Sequence, residues 1–83
     1  MIEYRVLSIP DIDRFDEDEV KTFIQILFNK GMISNNFEFC HRALRANYED
    51  CGSYLEGVLN FLYHICRFEL VAVDRGLYYF KHK

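Results

Sequence analysis

The stretch SYLEGVLNFLYHICRFELVAVDRGLYYFK, residues 53–81, decides the fold. Ser53 and Glu56 stand three apart, the spacing of a capping box that opens a helix. At 100° per residue, Leu55, Val58, Leu59, Leu62, Ile65 and Cys66 fall on one apolar arc, and Tyr54, Phe61 and Phe68 widen it on one side. A narrow polar stripe of Glu56, Asn60 and Arg67 remains, bordered by Tyr63 and His64. The spacing predicts a helix to about Arg67. Phe68 to Val73 is then apolar and β-branched, with Glu69 as its one charge. Asp74-Arg75-Gly76 forms a short turn in which Gly76 supplies a positive φ. The chain returns over Leu77 to Lys81, with Tyr78 and Phe80 on one face and Leu77 and Tyr79 on the other. On the outgoing strand, alternation sets Val71 and Val73 opposite to Leu70 and Ala72. Both strands therefore carry apolar residues on both sides. One side packs on the helices; the other must be covered or must serve as an interaction surface.

Upstream of this unit the chain reads as one strand and two helices. Ile2, Tyr4 and Val6 alternate with Glu3 and Arg5, a period of two that indicates a half-buried strand, and Pro10 ends its pairing. Residues 11–19 hold six acids against Arg14 alone, a local charge of minus five. Within this run, Asp16, Glu17 and Asp18 are candidates for docking a basic partner. The plainer account is a solvated helix start, where the helix dipole favours anions. Asp16 suits the N-cap, Glu19 the return arm of a capping box, and Phe15 with Val20 a hydrophobic staple. Val20, Phe23, Ile24, Leu27 and Phe28 then recur at helical spacing. Lys30 suits the last turn, and Gly31 the left-handed residue that closes it. Ser34, Asn35 and Asn36 are capping residues for a second helix over about 36–47. Phe37, Cys40, His41, Leu44 and Tyr48 share a face of it by spacing, and Glu38 with Arg42 stands in the favourable i, i+4 order. Asn47 to Gly52 reads as a polar turn.

Length and composition bound the rest. Eighty-three residues and 10.0 kDa leave room for a single domain over 1–83. With 51% hydrophobic and 28% charged residues, the composition is globular and argues against disorder. No apolar run approaches the roughly twenty residues that span a bilayer, so no membrane partner is expected. Met1 to Pro10 alternates and carries Glu3 and Arg5, unlike a signal peptide. Three cysteines form no even disulfide set, which points to reduced thiols in an intracellular, cytoplasmic protein.

The order of strand, three helices and hairpin resembles the winged helix-turn-helix family. The likeness lies in Leu59, Leu62, Phe68, Leu70, Val73, Gly76, Tyr78 and Phe80, spaced as where that family's last helix runs straight into its wing. The expected fold is α+β, with three helices followed by a β-hairpin that pairs with an N-terminal strand. The resemblance implies DNA binding through the third helix, with Arg42, Arg45, Arg67 and Arg75 as contacts and Arg75 on the wing. The charges depart from that pattern. Residues 37–83 carry six acids and six bases, and the whole chain has a net charge of −3. A DNA reader draws most of its affinity from neutralised phosphates.

Fourteen aromatics are more than a core of this size holds. Tyr54, Phe61, Tyr63 and Tyr79 are accordingly candidates for a protein interface, where large rings bury area for little rotamer entropy. The plainer account is half-buried tyrosines with their hydroxyls in water. Cys40, His41, Cys51, His64 and Cys66 lack the converging spacing of a zinc site. Nothing supplies a Cys–His nucleophile with its orienting group, and the four glycines are too scattered to cradle phosphate. No cofactor, metal or catalytic set is expected. The sequence reading is a small non-enzymatic module that binds another protein as adaptor or inhibitor, with a homodimer as one form of that contact. A viral or mobile-element regulator of host machinery suits the size alone. The alternatives are a DNA-binding regulator and a structural homodimer subunit.

Overall fold

Three helices stand on one face of a three-stranded antiparallel sheet, in the order β1 (Arg5–Ser8), α1 (Glu17–Asn29), α2 (Phe37–Cys51), α3 (Tyr54–His64), β2 (Phe68–Asp74) and β3 (Leu77–His82). The computed structural model describes residues 3–12, 14–34 and 36–83; Ile2, Asp13 and Asn35, which the sequence reading used, lie outside them. The sheet order is β1-β3-β2, so the hairpin's return strand is central and the N-terminal strand pairs with it. This is the expected α+β architecture.

Local signals place α1 closely. The Asp16 side chain accepts the Glu19 N–H at 3.1 Å, as an N-cap should. At the other end Gly31 takes φ +70°. There the Met32 N–H donates to Leu27 O and the Gly31 N–H to Phe28 O, the paired bonds of a Schellman motif. Val20, Phe23, Ile24 and Leu27 are buried. Phe15, expected to staple α1, reaches across to α2. Its ring lies 5.5 Å from that of His41 and 5.7 Å from that of Tyr48, tying the α1 entry to α2.

Five details differ from the sequence reading. The third helix ends at His64 rather than near Arg67, since Arg67 turns to φ +64° at the corner that starts β2. The second helix runs on to Cys51 rather than stopping near 47, because Tyr48 packs against the core and Gly52, at φ +70°, supplies the left-handed end only then. The apolar arc of α3 is rotated. Tyr54, Gly57, Val58, Phe61 and Leu62 are buried, while Leu55 and Ile65 are exposed. The large rings sit at the centre of the arc because α2 approaches closely there. A Cβ on Gly57 would stand 2.7 Å from the Tyr48 Cα. The first strand presents Leu7 to the core, in register with Tyr78, and leaves Tyr4 exposed, so its buried face is not that of Tyr4 and Val6. Finally, a bulge lies between Leu70 and Ala72. Leu70 pairs with Phe80 and Val73 with Tyr78, so Leu70 and Val73 share a side and Ala72 takes the other, with Tyr79.

Candidate protein-contact surfaces

Register and burial together sort the sheet's side chains. Phe80, Leu7 and Phe68 are buried beneath the helices. On the other face Val6 and Ala72 flank Tyr79, Ser8 and Asp74 flank Leu77, and Glu69 pairs with Lys81. Tyr4 folds its ring edge-on to Tyr79, with centroids 6.5 Å apart. Tyr4, Val71, Ala72, Asp74 and Tyr79 line a shallow hollow of about 310 Å³ on this face. Tyr4, Val71 and Leu77 remain 45%, 39% and 39% exposed. Among the described residues, no helix packs on this face. It is apolar at its centre and charged at its ends, the layout of a contact patch.

The four rings proposed from sequence separate. Tyr79 is half-buried on the outer face, as above. Tyr63 is exposed near the end of α3, where the Lys83 ammonium sits 3.4 Å above its ring and His64 meets its edge. Tyr54 and Phe61 are not surface residues at all. They are 2% and 0% exposed, because the rotated arc of α3 turns them into the core. Tyr4, Val71 and Leu77 are surface residues that the sequence reading did not single out. Alternation already groups Leu77 with Tyr79, but placing Val71 and Tyr4 beside them needs the bulge and the sidedness of β1.

The charges separate too. Of the acidic trio, Asp16 is engaged as the α1 N-cap and Asp18 is exposed. The Glu17 carboxylate is held by the Arg45 guanidinium, and its other oxygen lies 2.7 Å from His41 Nε2, out of line for a hydrogen bond. Arg45 also lies over the Phe15 ring at 4.2 Å. A proposed docking acid and a proposed phosphate-binding base therefore neutralise each other between α1 and α2. Arg42 is exposed on α2. Arg67 stands at the α3–β2 corner with φ +64°, and Arg75 in the hairpin turn with φ +53°. These three lie on separate elements, α2, the α3–β2 corner and the hairpin turn. Asn60, expected to point outward on α3, instead donates to the Asn47 side chain on α2. The third helix thus turns part of its expected reading stripe inward.

A second feature lies at the hairpin end. Ile9, Pro10, Asp11 and Ile12 after β1, Gly52 to Leu55 at the start of α3, and Gly76 with Tyr78 enclose a cleft of about 540 Å³. A third crevice, about 220 Å³, opens at the far end between Met32, Phe39, Cys40, Ile65 and Cys66. The three thiols are free. Burial, and to a smaller extent the nearby Cys40, push the Cys66 thiol up to about 12, and burial raises Cys40 as well. Neutral, buried thiols are poor nucleophiles. Burial, then the charge of Glu19, raises the Tyr54 phenol. Among the described residues, no three His, Cys, Asp or Glu side chains group as metal ligands, and no helix is long and apolar enough to cross a membrane. No protein-family model, curated protein or solved structure matches this chain.

Proposed function

We propose that this chain is a non-enzymatic protein-binding module, an adaptor or inhibitor of another macromolecule, acting in a reducing intracellular compartment through the outer face of its sheet. The observation that carries the reading is the uncovered apolar set Tyr4, Val71, Leu77 and Tyr79 on that face. A small monomer seldom leaves rings and aliphatics together on a sheet without a use for them. The Lys81–Glu69 pair at one end and Asp74 at the other supply the polar rim that orients a partner.

Affinity capture from the native host with the wild-type chain and Val71→Lys side by side tests this. Val71 points outward, so the fold survives, as circular dichroism checks. A partner retained by the wild type and lost from Val71→Lys supports the reading; equal retention overturns it. Light scattering on the same two proteins identifies a second copy as the partner if a dimer dissociates. The DNA-binding alternative rests on element order and on Arg42, Arg67 and Arg75. A shift of mixed-sequence duplex with steep salt dependence, reduced in Arg75→Ala, would favour it.

A further inference from the structure

Three sulfur-bearing side chains from separate parts of the chain line one crevice. Met32 follows the close of α1, Cys40 lies near the start of α2, and Cys66 stands at the α3–β2 corner. Helix packing explains why they meet. α2 and α3 run antiparallel, with Tyr48 against Gly57 and Asn47 bonded to Asn60. About two helical turns further along, the same pairing brings Cys40 level with Cys66. The chain keeps winding to that point, since the Cys66 N–H still donates to Phe61 O. The Met32 N–H is fixed on Leu27 O by the Schellman turn, which delivers the thioether to the same end. Met32 and Cys40 are buried and Cys66 is half-buried. The charge of Cys40 is felt at Cys66, as neighbouring thiols require.

The rest of the wall is Ile33, Phe39 and Ile65, with Ser34 as the one oxygen-bearing side chain among the described residues. This donor set is selective. The crevice, about 220 Å³, is smaller than the roughly 300–1,000 Å³ usual for organic ligands, but it admits an ion. Calcium and magnesium require oxygen ligands, and structural zinc requires four ligands. Thiolate and thioether sulfur suit Cu(I), which accepts low coordination numbers.

The geometry points to a Cu(I) site in this crevice, with Cys40 and Cys66 as thiolate ligands and Met32 as a thioether ligand. No electron moves on binding. Each thiol gives its proton to solvent, and the two sulfurs take the ion in place of the protons. One negative charge is left over, and the N-terminal turn of α2 beside Cys40 offsets it with its partial positive charge. The ion ties the end of α1 to the start of α2 and to the α3–β2 corner, so it stabilises the folded chain by mass action. The site shares no residue with the outer sheet face and does not rest on the reading of that face.

Anaerobic titration with Cu(I), in competition with the chromophoric chelator bicinchoninate and with ascorbate as reductant, tests the assignment. The wild-type chain and Cys51→Ser should bind the ion equally, because Cys51 is exposed at the other end of α2. Cys40→Ala and Cys66→Ser should each weaken binding by at least about a hundredfold, and Met32→Leu by about tenfold. Bound Cu(I) should raise the thermal midpoint of the wild type and leave that of Cys66→Ser where it was. Circular dichroism checks that each variant folds; if Cys40→Ala does not, Cys66→Ser at its half-buried position decides. Binding by Cys66→Ser as tight as that of the wild type overturns the proposal. So does binding that is lost in Cys51→Ser, or one ion shared between two chains, since the exposed thiol would then be the ligand.

Discussion

Gly57 shows how a single residue sets the geometry of this domain. It is buried in α3, and a Cβ built on it meets the Tyr48 backbone at 2.7 and 2.8 Å, closer than van der Waals contact allows. No rotation of a side chain relieves that clash, because the atoms met are Cα and N. Gly57→Ala should therefore force α2 and α3 apart and destabilise the domain by about 1–3 kcal/mol or more, despite the better helix propensity of alanine. Urea unfolding of the two proteins measures this; a neutral or stabilising change would mean that the helices are not in close contact there. The same close approach explains why the core face of α3 centres on Tyr54 and Phe61. It also explains why Asn60 bonds across to Asn47 instead of facing solvent. A glycine in a helical pattern is visible in sequence, but the helix that presses on it is not.

Among the elements, α1 was the most legible and β2 the least. The start, apolar stripe and end of α1 all depend on neighbours within a few residues, so Asp16, Val20 to Leu27 and Gly31 could be placed by spacing alone. The cap can be tested directly. Asp16→Ala removes the acceptor of the Glu19 N–H and should cost about 1 kcal/mol, seen as a lower midpoint in thermal unfolding. An unchanged midpoint would mean that the bond is replaced by solvent at no cost. In β2 the bulge at Leu70–Ala72 reverses the sidedness of every residue beyond it, since a strand's side-chain period is two. Val73 therefore joins Leu70, and Ala72 joins the outer face. Nothing local in Phe68 to Asp74 announces the bulge, because every position there is apolar except the acids at 69 and 74. The end of α2 lies between these cases. Gly52 reads as part of a turn, but whether the helix reaches it depends on Tyr48 finding a place against Phe15 and the core.

At the scale of the whole molecule, burial of weakly acidic groups ties stability to alkaline pH. Unfolded, the Cys66 thiol ionises near 9; folded, burial first and the neighbouring Cys40 second hold it protonated to about 12. Between these values the folded state carries the extra proton, so stability is full below about 9 and falls as pH rises toward 12. Cys40 and Tyr54 are raised in the same direction and add to the trend. Denaturant midpoints at pH 8 and pH 10.5 should fall with pH, and Cys66→Ala should flatten that fall. A midpoint that rises over this interval would show that the thiol is not buried in solution. The charge layout is also a whole-molecule property. The excess of acid in residues 11–19 reads as a solvated helix start with docking as the lesser alternative, and the structure has Asp16 as the cap and Glu17 paired with Arg45.

Sequence alone determined the number and order of the elements, the N-caps of all three helices and the presence of the terminal hairpin. Each of these follows from interactions within a few residues, or from composition, which no folding event alters. Tertiary structure alone decided which way the faces turn. Leu7 rather than Tyr4 faces inward, Tyr54 and Phe61 lie in the core, and Tyr4, Val71 and Leu77 lie bare on the outer sheet. The reason is that α3 and the strands are apolar on more than one side, so periodicity leaves several orientations nearly equal. Contact with a second element, Tyr48 against Gly57 or Tyr78 against Leu7, selects among them.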